Sequence, residues 1–232
     1  MNKIPIYWIN LDRSPDRKIL MENQFKDYNI ENHQRIEGID GKNLDFSEYK
    51  DKCTDITVFE LACTLSHLKA IETAHMNGDE YALIFEDDCS FEYVKYQKHT
   101  IDELIEIMNN TTTTKKWNIL QLCTCGRIDH CERMKANPNL IEHKSRDCTT
   151  AYLINKNGML NLLQCRDKLA AADTYIYNKC KTYCVTKPYF SYHFSNMIQS
   201  NVHNQGENSN QTAYKREDDN KRFWDNYWMS KC

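Results

Sequence analysis

The sequence predicts an α/β fold, a single domain in which helices flank a mixed, mostly parallel sheet. Short apolar runs rich in β-forming residues alternate with segments in which apolar residues recur at helical spacing, which is typical of a sheet covered by helices. Turn pairs such as Asp40-Gly41 and Asn77-Gly78 separate the two kinds of segment. The chain has 232 residues, 41% of them hydrophobic, which is enough to form a buried core.

The N-terminal segment predicts a strand, a helix and a second strand. Residues 4–10 are an apolar run of β-forming residues and predict a buried strand. Ser14 as N-cap and Pro15 at the first helical position predict a helix over residues 16–28. Residues 35–39 predict a short second strand.

Strands and helices continue through the rest of the chain. Apolar residues at helical spacing predict a long helix over residues 58–76, and the apolar run 81–85 predicts a strand that ends at three consecutive carboxylates. We then expect, in order, a helix over residues 101–108, strands over 117–122 and 149–154, helices over 157–165 and 173–180, and a strand over 182–186.

The C-terminal part has a different composition. Residues 201–221 are polar and show no apolar period, as in a loop or tail, whereas the aromatic residues between positions 223 and 228 lie at helical spacing. We interpret the aromatic residues as a helix that docks on the body of the protein; contact with a partner is the alternative. We therefore assign residues 1–200 to the domain and residues 201–232 to a polar loop or tail that ends in an aromatic-rich segment.

Charge and composition argue against several classes of protein. The net charge of −3 does not suit a nucleic-acid binder that works by bulk electrostatics. The sequence has no apolar run long enough to span a membrane and no basic N-terminal signal, so we expect a cytoplasmic protein. Eleven scattered cysteines, including the closely spaced Cys123, Cys125 and Cys131, do not match paired zinc ligands and favour free thiols. Glycine-rich phosphate-binding motifs are absent from the sequence.

Three consecutive carboxylates, Glu86, Asp87 and Asp88, follow the predicted strand 81–85. In an extended segment Glu86 and Asp88 would point to one side and Asp87 to the other. Ligands of α/β proteins bind beyond the carboxyl ends of strands, and two carboxylates on one side suit Mg²⁺ or Mn²⁺ that bridges a diphosphate. A solvated acidic loop is the alternative.

Two further segments have both a binding interpretation and a structural one. Arg13 and Arg17 lie at the start of the first helix, where anions bind, but they could equally form surface ion pairs with Asp12 and Asp16. The pair Ser66-His67 lies inside an apolar helix, where a buried histidine with satisfied hydrogen bonds is the usual explanation.

Five short motifs together resemble glycosyltransferase family 25, the family of lipooligosaccharide galactosyltransferases and of collagen hydroxylysine galactosyl- and glucosyltransferases. The resemblance covers residues 4 to about 189. In chain order, the motifs are Arg13 to Arg17 after a strand, Glu37-Gly38-Ile39-Asp40-Gly41, Cys63-Thr64-Leu65-Ser66-His67, Phe85-Glu86-Asp87-Asp88 and Thr149-Thr150-Ala151-Tyr152-Leu153-Ile154.

The resemblance implies a GT-A type fold, a UDP-sugar donor, Mn²⁺ or Mg²⁺, and inversion at the anomeric carbon. A hexose would pass to a hydroxyl group of a protein acceptor, such as hydroxylysine of a collagen-like protein, or of a glycan. In the acidic triplet, Glu86 and Asp88 would hold the metal. The donor pocket would contain Asn10, Leu11, Arg13, Arg17, Asp40, Ser66, His67 and Asp87.

Two residues near the end of the resemblance are candidates for chemistry. An inverting transfer needs a base for the acceptor hydroxyl, and Asp173 is our candidate because it begins a helical segment after the core sheet. An N-cap role is the alternative for Asp173. His193 is a candidate third metal ligand, and a histidine packed between its aromatic neighbours is the alternative.

The sequence also departs from the family pattern at three positions. Ala62 and Cys148 stand where the family often has glycine, and Ala171 stands where proline is expected. Losing these residues could reshape the pocket, since glycine and proline set the backbone conformation. A catalytically degenerate binding protein is therefore an alternative function, as are a nucleotide-sugar hydrolase and a nucleotidyltransferase.

Overall fold

A mixed sheet organises the chain in a computed structural model. The structure describes residues 3–111, 117–124, 133–134, 137–142, 148–193 and 221–230. Within these residues, eight strands form the large sheet and two form a small one. The strands are β1 (Ile6–Asn10), β2 (His33–Glu37), β3 (Tyr81–Glu86), β4 (Cys89–Ser90), β5 (Ile119–Gln121), β6 (Arg133–Met134), β7 (Asn137–Glu142), β8 (Ala151–Asn155), β9 (Thr182–Val185) and β10 (Ser191–Tyr192).

The large sheet has the order β2-β1-β3-β8-β5-β9-β7-β6. Along the first six of these strands, β1 pairs in parallel with β2 and β3, β5 pairs in parallel with β9, and β8 is antiparallel to both of its neighbours. The predicted α/β class with a mixed, mostly parallel sheet is therefore confirmed over these six strands. Strands β7 and β6 extend the edge in antiparallel pairings.

Helices cover both faces of the sheet. The described helices are α1 (Pro15–Asp27), α2 (Val58–Met76), α3 (Ile101–Thr111), α4 (Lys156–Gln164), α5 (Ala172–Asn178) and α6 (221–229). Alternate residues of the strands point to opposite faces, so Leu83 and Phe85 of β3 pack with α1 and α3, whereas Ala82 and Ile84 pack with α2, α4 and α5. Glu86 ends β3 on the α2 side.

The start of α2 follows a clear sequence signal. The Thr57 hydroxyl accepts a hydrogen bond from the backbone N–H of Glu60 at 3.2 Å, and Glu60 Oε2 accepts one from the backbone N–H of Thr57 at 2.7 Å. Pro15 is the first residue of α1, as predicted, but the Ser14 side chain makes no capping hydrogen bond. The backbone of Ser14, with ψ of 60°, departs from the usual extended N-cap conformation.

Several elements differ from those that the sequence predicted. A 3₁₀-helix over Phe46–Lys52 and the strands β6 and β7 were not expected, since these segments lack a run of apolar residues. The strand predicted over residues 117–122 is limited to β5, because Trp117 and Asn118 precede the ladder.

The last described helix docks on the body of the protein. Trp224 and Trp228 of α6 are buried against Tyr93, whose hydroxyl donates a hydrogen bond to Asp225 Oδ1 at 2.7 Å. Lys221 Nζ lies 2.7 Å from Glu92 Oε1. Interpreting the aromatic segment as a docking helix is therefore confirmed. The predicted boundary near residue 200 lies outside the described residues and stays a prediction.

Two further findings concern the predicted environment of the chain. Of the helices in the described ranges, none combines the length and the apolar character that crossing a membrane requires. The eight cysteines in the described part of the chain are all free thiols, whereas Cys125 and Cys131 lie outside it.

Candidate functional site

An open cavity of about 620 Å³ lies at the carboxyl ends of β1 and β3. These strands are parallel neighbours with Ile9 opposite Glu86, so the segments that follow them meet at the same edge of the sheet. The cavity wall contains nine of the residues that the sequence proposed: Asn10, Leu11, Arg13, Arg17, Ser66, His67, Glu86, Asp87 and Asp88.

Asp87 and Asp88 form a turn directly after β3, which we call the acid turn. The expectation of an extended segment, with Glu86 and Asp88 on the same side, is therefore wrong. Arg17 bridges the two carboxylates of the turn, with Nη1 2.8 Å from Asp87 Oδ1 and Nη2 3.2 Å from Asp88 Oδ2. Asn10 adds a hydrogen bond from Nδ2 to Asp87 Oδ2 at 2.7 Å.

The two aspartates of the acid turn share one arginine, and burial disfavours their charged forms. Burial raises the pKa of Asp88 to about 8 although Arg17 opposes the shift, and the neighbouring carboxylates of Glu86 and Asp87 raise it further. Burial also raises the pKa of Asp87. Within the described residues, Asp88 Oδ1 is buried without a hydrogen-bond partner. The turn therefore has the charge and the unused oxygen of a cation site.

Glu86 lies in a different environment, which we call the inner wall: His67, Glu86, Thr149 and Tyr152. Glu86 Oε1 lies 3.2 Å from His67 Nε2 and accepts a hydrogen bond from Thr149 Oγ1 at 2.6 Å. His67 Nδ1 lies 3.1 Å from the Tyr152 hydroxyl. Burial alone would raise the pKa of Glu86, but His67, Thr149 and Arg17 bring it below its usual value.

His67 and Ser66 are thus tied into the structure by hydrogen bonds. Both ring nitrogens of the fully buried His67 have partners, which agrees with the structural explanation of this residue. Ser66 Oγ accepts a hydrogen bond from the backbone N–H of Ile39 at 2.8 Å and donates one to the Ala62 carbonyl at 2.7 Å. Ser66 therefore fixes the loop after β2 against α2.

Arg13 lies at the mouth of the cavity. Its Nε is 2.6 Å from Asp40 Oδ2, so Asp40 holds this arginine in place without lining the cavity itself. Asp12 pairs with Arg35 instead, at 2.5 Å. The alternative, in which Arg13 and Arg17 form ion pairs with Asp12 and Asp16, is therefore wrong. The two arginines do form ion pairs, but with carboxylates that are distant in sequence.

His193 and Asp173 lie outside the cavity wall. The backbone N–H of His193 donates a hydrogen bond to the Asp88 carbonyl at 2.7 Å, and in the described residues its Nε2 is buried without a partner. Asp173 is in the first turn of α5, where its Oδ1 accepts a hydrogen bond from the backbone N–H of Thr174 at 2.6 Å. Ala171 is the N-cap of α5, so the N-cap explanation of Asp173 is wrong.

Three residues of the site carried no predicted role. Thr149 and Tyr152 belong to a motif that supported the resemblance, but only the fold shows that both reach the inner wall. Cys63 lines the cavity one helical turn before His67. Burial raises the pKa of the Cys63 thiol well above its usual value, and the charges of Glu86 and Asp173 add to the shift. The spacing of Cys63 and His67 was the sequence signal for their shared face.

The departures from the family pattern leave the local backbone in the conformation that the missing residues favour. Cys148 stands where glycine is common, and its φ is +92°, in the region that glycine favours. Ala171 stands where proline is expected, and its φ of −53° is one that proline also adopts. These substitutions therefore do not require a reshaped backbone at either position.

Comparison with known proteins agrees with the resemblance in the motifs. The chain is 24% identical over 187 residues to a "Glycosyltransferase 25 family member" of Drosophila melanogaster, covering 74% of this chain and 30% of the relative. A relative of the same name in Aedes aegypti is 25% identical over 187 residues, with the same coverage. The chain thus spans about a third of the length of these curated relatives.

A solved structure and a family model were also matched. The crystal structure of A197 from STIV is 10% identical, covers 83% of this chain and 86% of its own, and gives a TM-score of 0.46. The family model described as Glycosyltransferase family 25 (LPS biosynthesis protein) matches residues 3–178, which is most of the chain. The chain therefore belongs to glycosyltransferase family 25.

Proposed function

We propose that this chain is a metal-dependent, inverting glycosyltransferase of the GT-A type that moves a hexose from a UDP-sugar to a hydroxyl acceptor. The acceptor would be hydroxylysine of a collagen-like protein or a glycan. One observation carries the proposal: the cavity places a carboxylate-rich turn opposite arginines and beside the N-terminus of α1, at the carboxyl end of a parallel strand. Such an edge suits a diphosphate with its cation.

The side chains around the acid turn fit Mn²⁺ or Mg²⁺. These cations prefer oxygen ligands, and Asp88 Oδ1 is buried without a partner among the described residues. Both hydrogen bonds to Glu86 fall on Oε1, so its Oε2 could be the second ligand. His193 Nε2 is the candidate third ligand. When bound, the cation would offset negative charge on the diphosphate of the donor.

The remaining residues of the cavity would hold and orient the donor. The N-terminus of α1 favours a negative group in front of it, and Arg13 and Arg17 add positive charge at the same edge. Arg17 is fixed by the acid turn, but within the described part of the chain its Nε is buried without a partner. We propose that this N–H donates to a phosphate oxygen.

The base would be Asp173. In an inverting transfer the acceptor oxygen bonds to the anomeric carbon while the bond to the phosphate oxygen breaks, and UDP departs with the electron pair. A carboxylate on the acceptor side takes the proton. Asp173 lies in the first turn of α5, which packs against α2, the helix that carries Cys63 and His67. Asp87 is a poorer candidate because Asn10 and Arg17 already occupy its oxygens.

The test is a screen of UDP-hexoses with Mn²⁺ and with hydroxylysine-containing peptides or glycans as acceptors. We expect acceptor-dependent product that chelation abolishes. Asp88→Asn should reduce turnover about a hundredfold or more, since a metal ion supplies several kcal/mol of charge stabilisation. Asp55→Asn changes an exposed carboxylate away from the cavity wall and is the matched control.

Other outcomes of the same screen identify the alternatives. Release of free hexose at a rate that no acceptor alters would identify a nucleotide-sugar hydrolase. Binding of UDP without turnover of any donor would identify a degenerate binding protein. Equal Mn²⁺-dependent turnover by the wild type and Asp88→Asn would remove Asp88 from the metal site.

A further inference from the structure

Three side chains of types that can bind metal ions lie close together on the wall of the cavity. Cys63 and His67 are one helical turn apart on α2, so they share the face that looks toward the end of β3. Glu86 is the last residue of β3 and lies opposite them. One ligand atom from each residue, the thiol sulfur, a ring nitrogen and a carboxylate oxygen, lies within 4.8 Å of the other two.

We propose that Cys63, His67 and Glu86 form a second metal site, suited to a thiophilic divalent cation such as Zn²⁺. A sulfur, a nitrogen and an oxygen ligand are the set that Zn²⁺ takes in proteins, whereas Mn²⁺ and Mg²⁺ prefer oxygen. Ligand atoms around a tetrahedral Zn²⁺ are about 3.5 Å apart, given bonds of about 2.0–2.3 Å. Side-chain shifts of about 1 Å would therefore close the triangle around the ion.

The groups behind these ligands already hold two of them in place. The Tyr152 hydroxyl contacts His67 Nδ1 at 3.1 Å, which directs Nε2 toward Glu86. Thr149 Oγ1 donates to Glu86 Oε1 at 2.6 Å. Metal-binding histidines and carboxylates in proteins have partners of this kind, which fix the ring and the carboxylate before the ion arrives.

The site would be accessible and incomplete. All three residues line the cavity, so an ion can enter from solvent and a fourth ligand, water or a phosphate oxygen, can approach from the open side. Binding would convert the Cys63 thiol to a thiolate and release its proton to solvent. Because Glu86 is also a candidate ligand for Mn²⁺, Zn²⁺ at this site would make Glu86 unavailable to an Mn²⁺ ion at the acid turn.

Cobalt is the probe for this site, because tetrahedral Co²⁺ absorbs in the visible and a thiolate ligand adds a charge-transfer band in the near ultraviolet. We would titrate the metal-free full chain with Co²⁺, without donor or acceptor. The wild type should develop the thiolate band, and Zn²⁺ should displace it. Cys63→Ser should abolish the band, and Glu86→Gln should weaken Co²⁺ binding about tenfold or more.

The controls separate this site from other thiols and from the acid turn. Cys165→Ser changes a half-buried thiol at the end of α4 and should leave the band intact. Asp88→Asn should also leave it intact, although it removes the candidate Mn²⁺ ligand. A band that survives in Cys63→Ser, or Co²⁺ binding to the wild type without a thiolate band, would overturn the proposal. Absence of sugar transfer would not affect it, since the titration contains no substrate.

Discussion

Glu86 of the inner wall directly precedes the acid turn on the chain, yet the pKa values of the carboxylates in the two regions shift in opposite directions. On the inner wall, His67 and Thr149 satisfy Glu86 and lower its pKa. In the acid turn, the two aspartates share one arginine partner, Arg17, and burial raises the pKa of Asp88 to about 8. Glu86 is thus oriented by neutral and histidine partners, whereas Asp88 has one oxygen without a hydrogen-bond partner among the described residues.

Asp173, the proposed base, lies outside both regions, and its substitution should have the largest effect. Asp173→Asn should lower kcat by about a hundred- to ten-thousand-fold, the usual contribution of a general base. The affinity for the UDP-sugar should stay within a few-fold of wild type, because a base acts mainly in the transition state. Steady-state kinetics and calorimetry measure the two quantities separately. Transfer at nearly the wild-type rate would exclude Asp173 as the base.

Removing Arg17, the arginine that pairs with both aspartates of the acid turn, should have the next largest effect. Arg17→Ala leaves Asp87 and Asp88 without their shared partner and should lower the free energy of unfolding by about 3–5 kcal/mol. Arg13→Ala breaks a half-exposed pair with Asp40 and should cost about 1 kcal/mol or less, while it weakens donor binding. Urea unfolding of both variants tests this. Equal losses would show that the two arginines have the same structural role.

Removing one hydrogen bond from the inner wall should lower the free energy of unfolding by a smaller amount. Tyr152→Phe leaves His67 Nδ1 buried without its hydroxyl partner and should lower the free energy of unfolding by about 1–3 kcal/mol. Tyr49→Phe, at a partly exposed tyrosine in the 3₁₀-helix, should change stability by about 0.5 kcal/mol or less. A loss in Tyr152→Phe no greater than in this control would mean that the hydroxyl does not hold His67.

Taken per pH unit, the smallest effect should be a pH dependence of stability that has opposite signs in the two regions. Asp88 has a folded pKa raised to about 8, so its contribution to stability is complete below about pH 4 and is lost as pH rises toward 8. For Glu86, whose pKa is lowered, the contribution is present above its unfolded pKa and is lost on acidification. Melting of chelator-treated wild type and Asp88→Asn between pH 4 and 8 should show the wild type losing about 1 kcal/mol or less per pH unit relative to the variant. A pH-independent difference would contradict the raised pKa.

The structural features that depend on residues close together in the chain could be predicted from the sequence. The apolar run before Glu86 and the Pro15 signal located β3 and α1, and the order of motifs indicated the family, which the family model confirms. Residues that share a motif, such as Ser66 and His67, were correctly expected in one helix. The position of the three carboxylates at the end of β3, a strand parallel to β1, follows from the α/β class.

Contacts between distant segments could not be predicted in this way. Arg17 meets Asp87 across 70 positions, and Tyr152 meets His67 across 85, so no local pattern indicates either pair. The turn at Asp87-Asp88 was missed because three carboxylates after a strand do not indicate where the extended backbone ends. Strand β7, which contains Pro138, lacks the uniform apolar pattern of the central strands.

Cys148 keeps a strained backbone conformation that two side chains from other elements anchor. A side chain at φ +92° costs roughly 1–2 kcal/mol, yet the Cys148 carbonyl accepts hydrogen bonds from Gln121 Nε2 at 2.8 Å and from the Tyr177 hydroxyl at 2.7 Å. These two hydrogen bonds hold the backbone in a conformation that glycine favours. Strain of this kind persists where several contacts fix the same conformation. One carbonyl therefore joins β5 and α5 to the segment before β8, and the loss of either hydrogen bond should make this backbone conformation harder to keep.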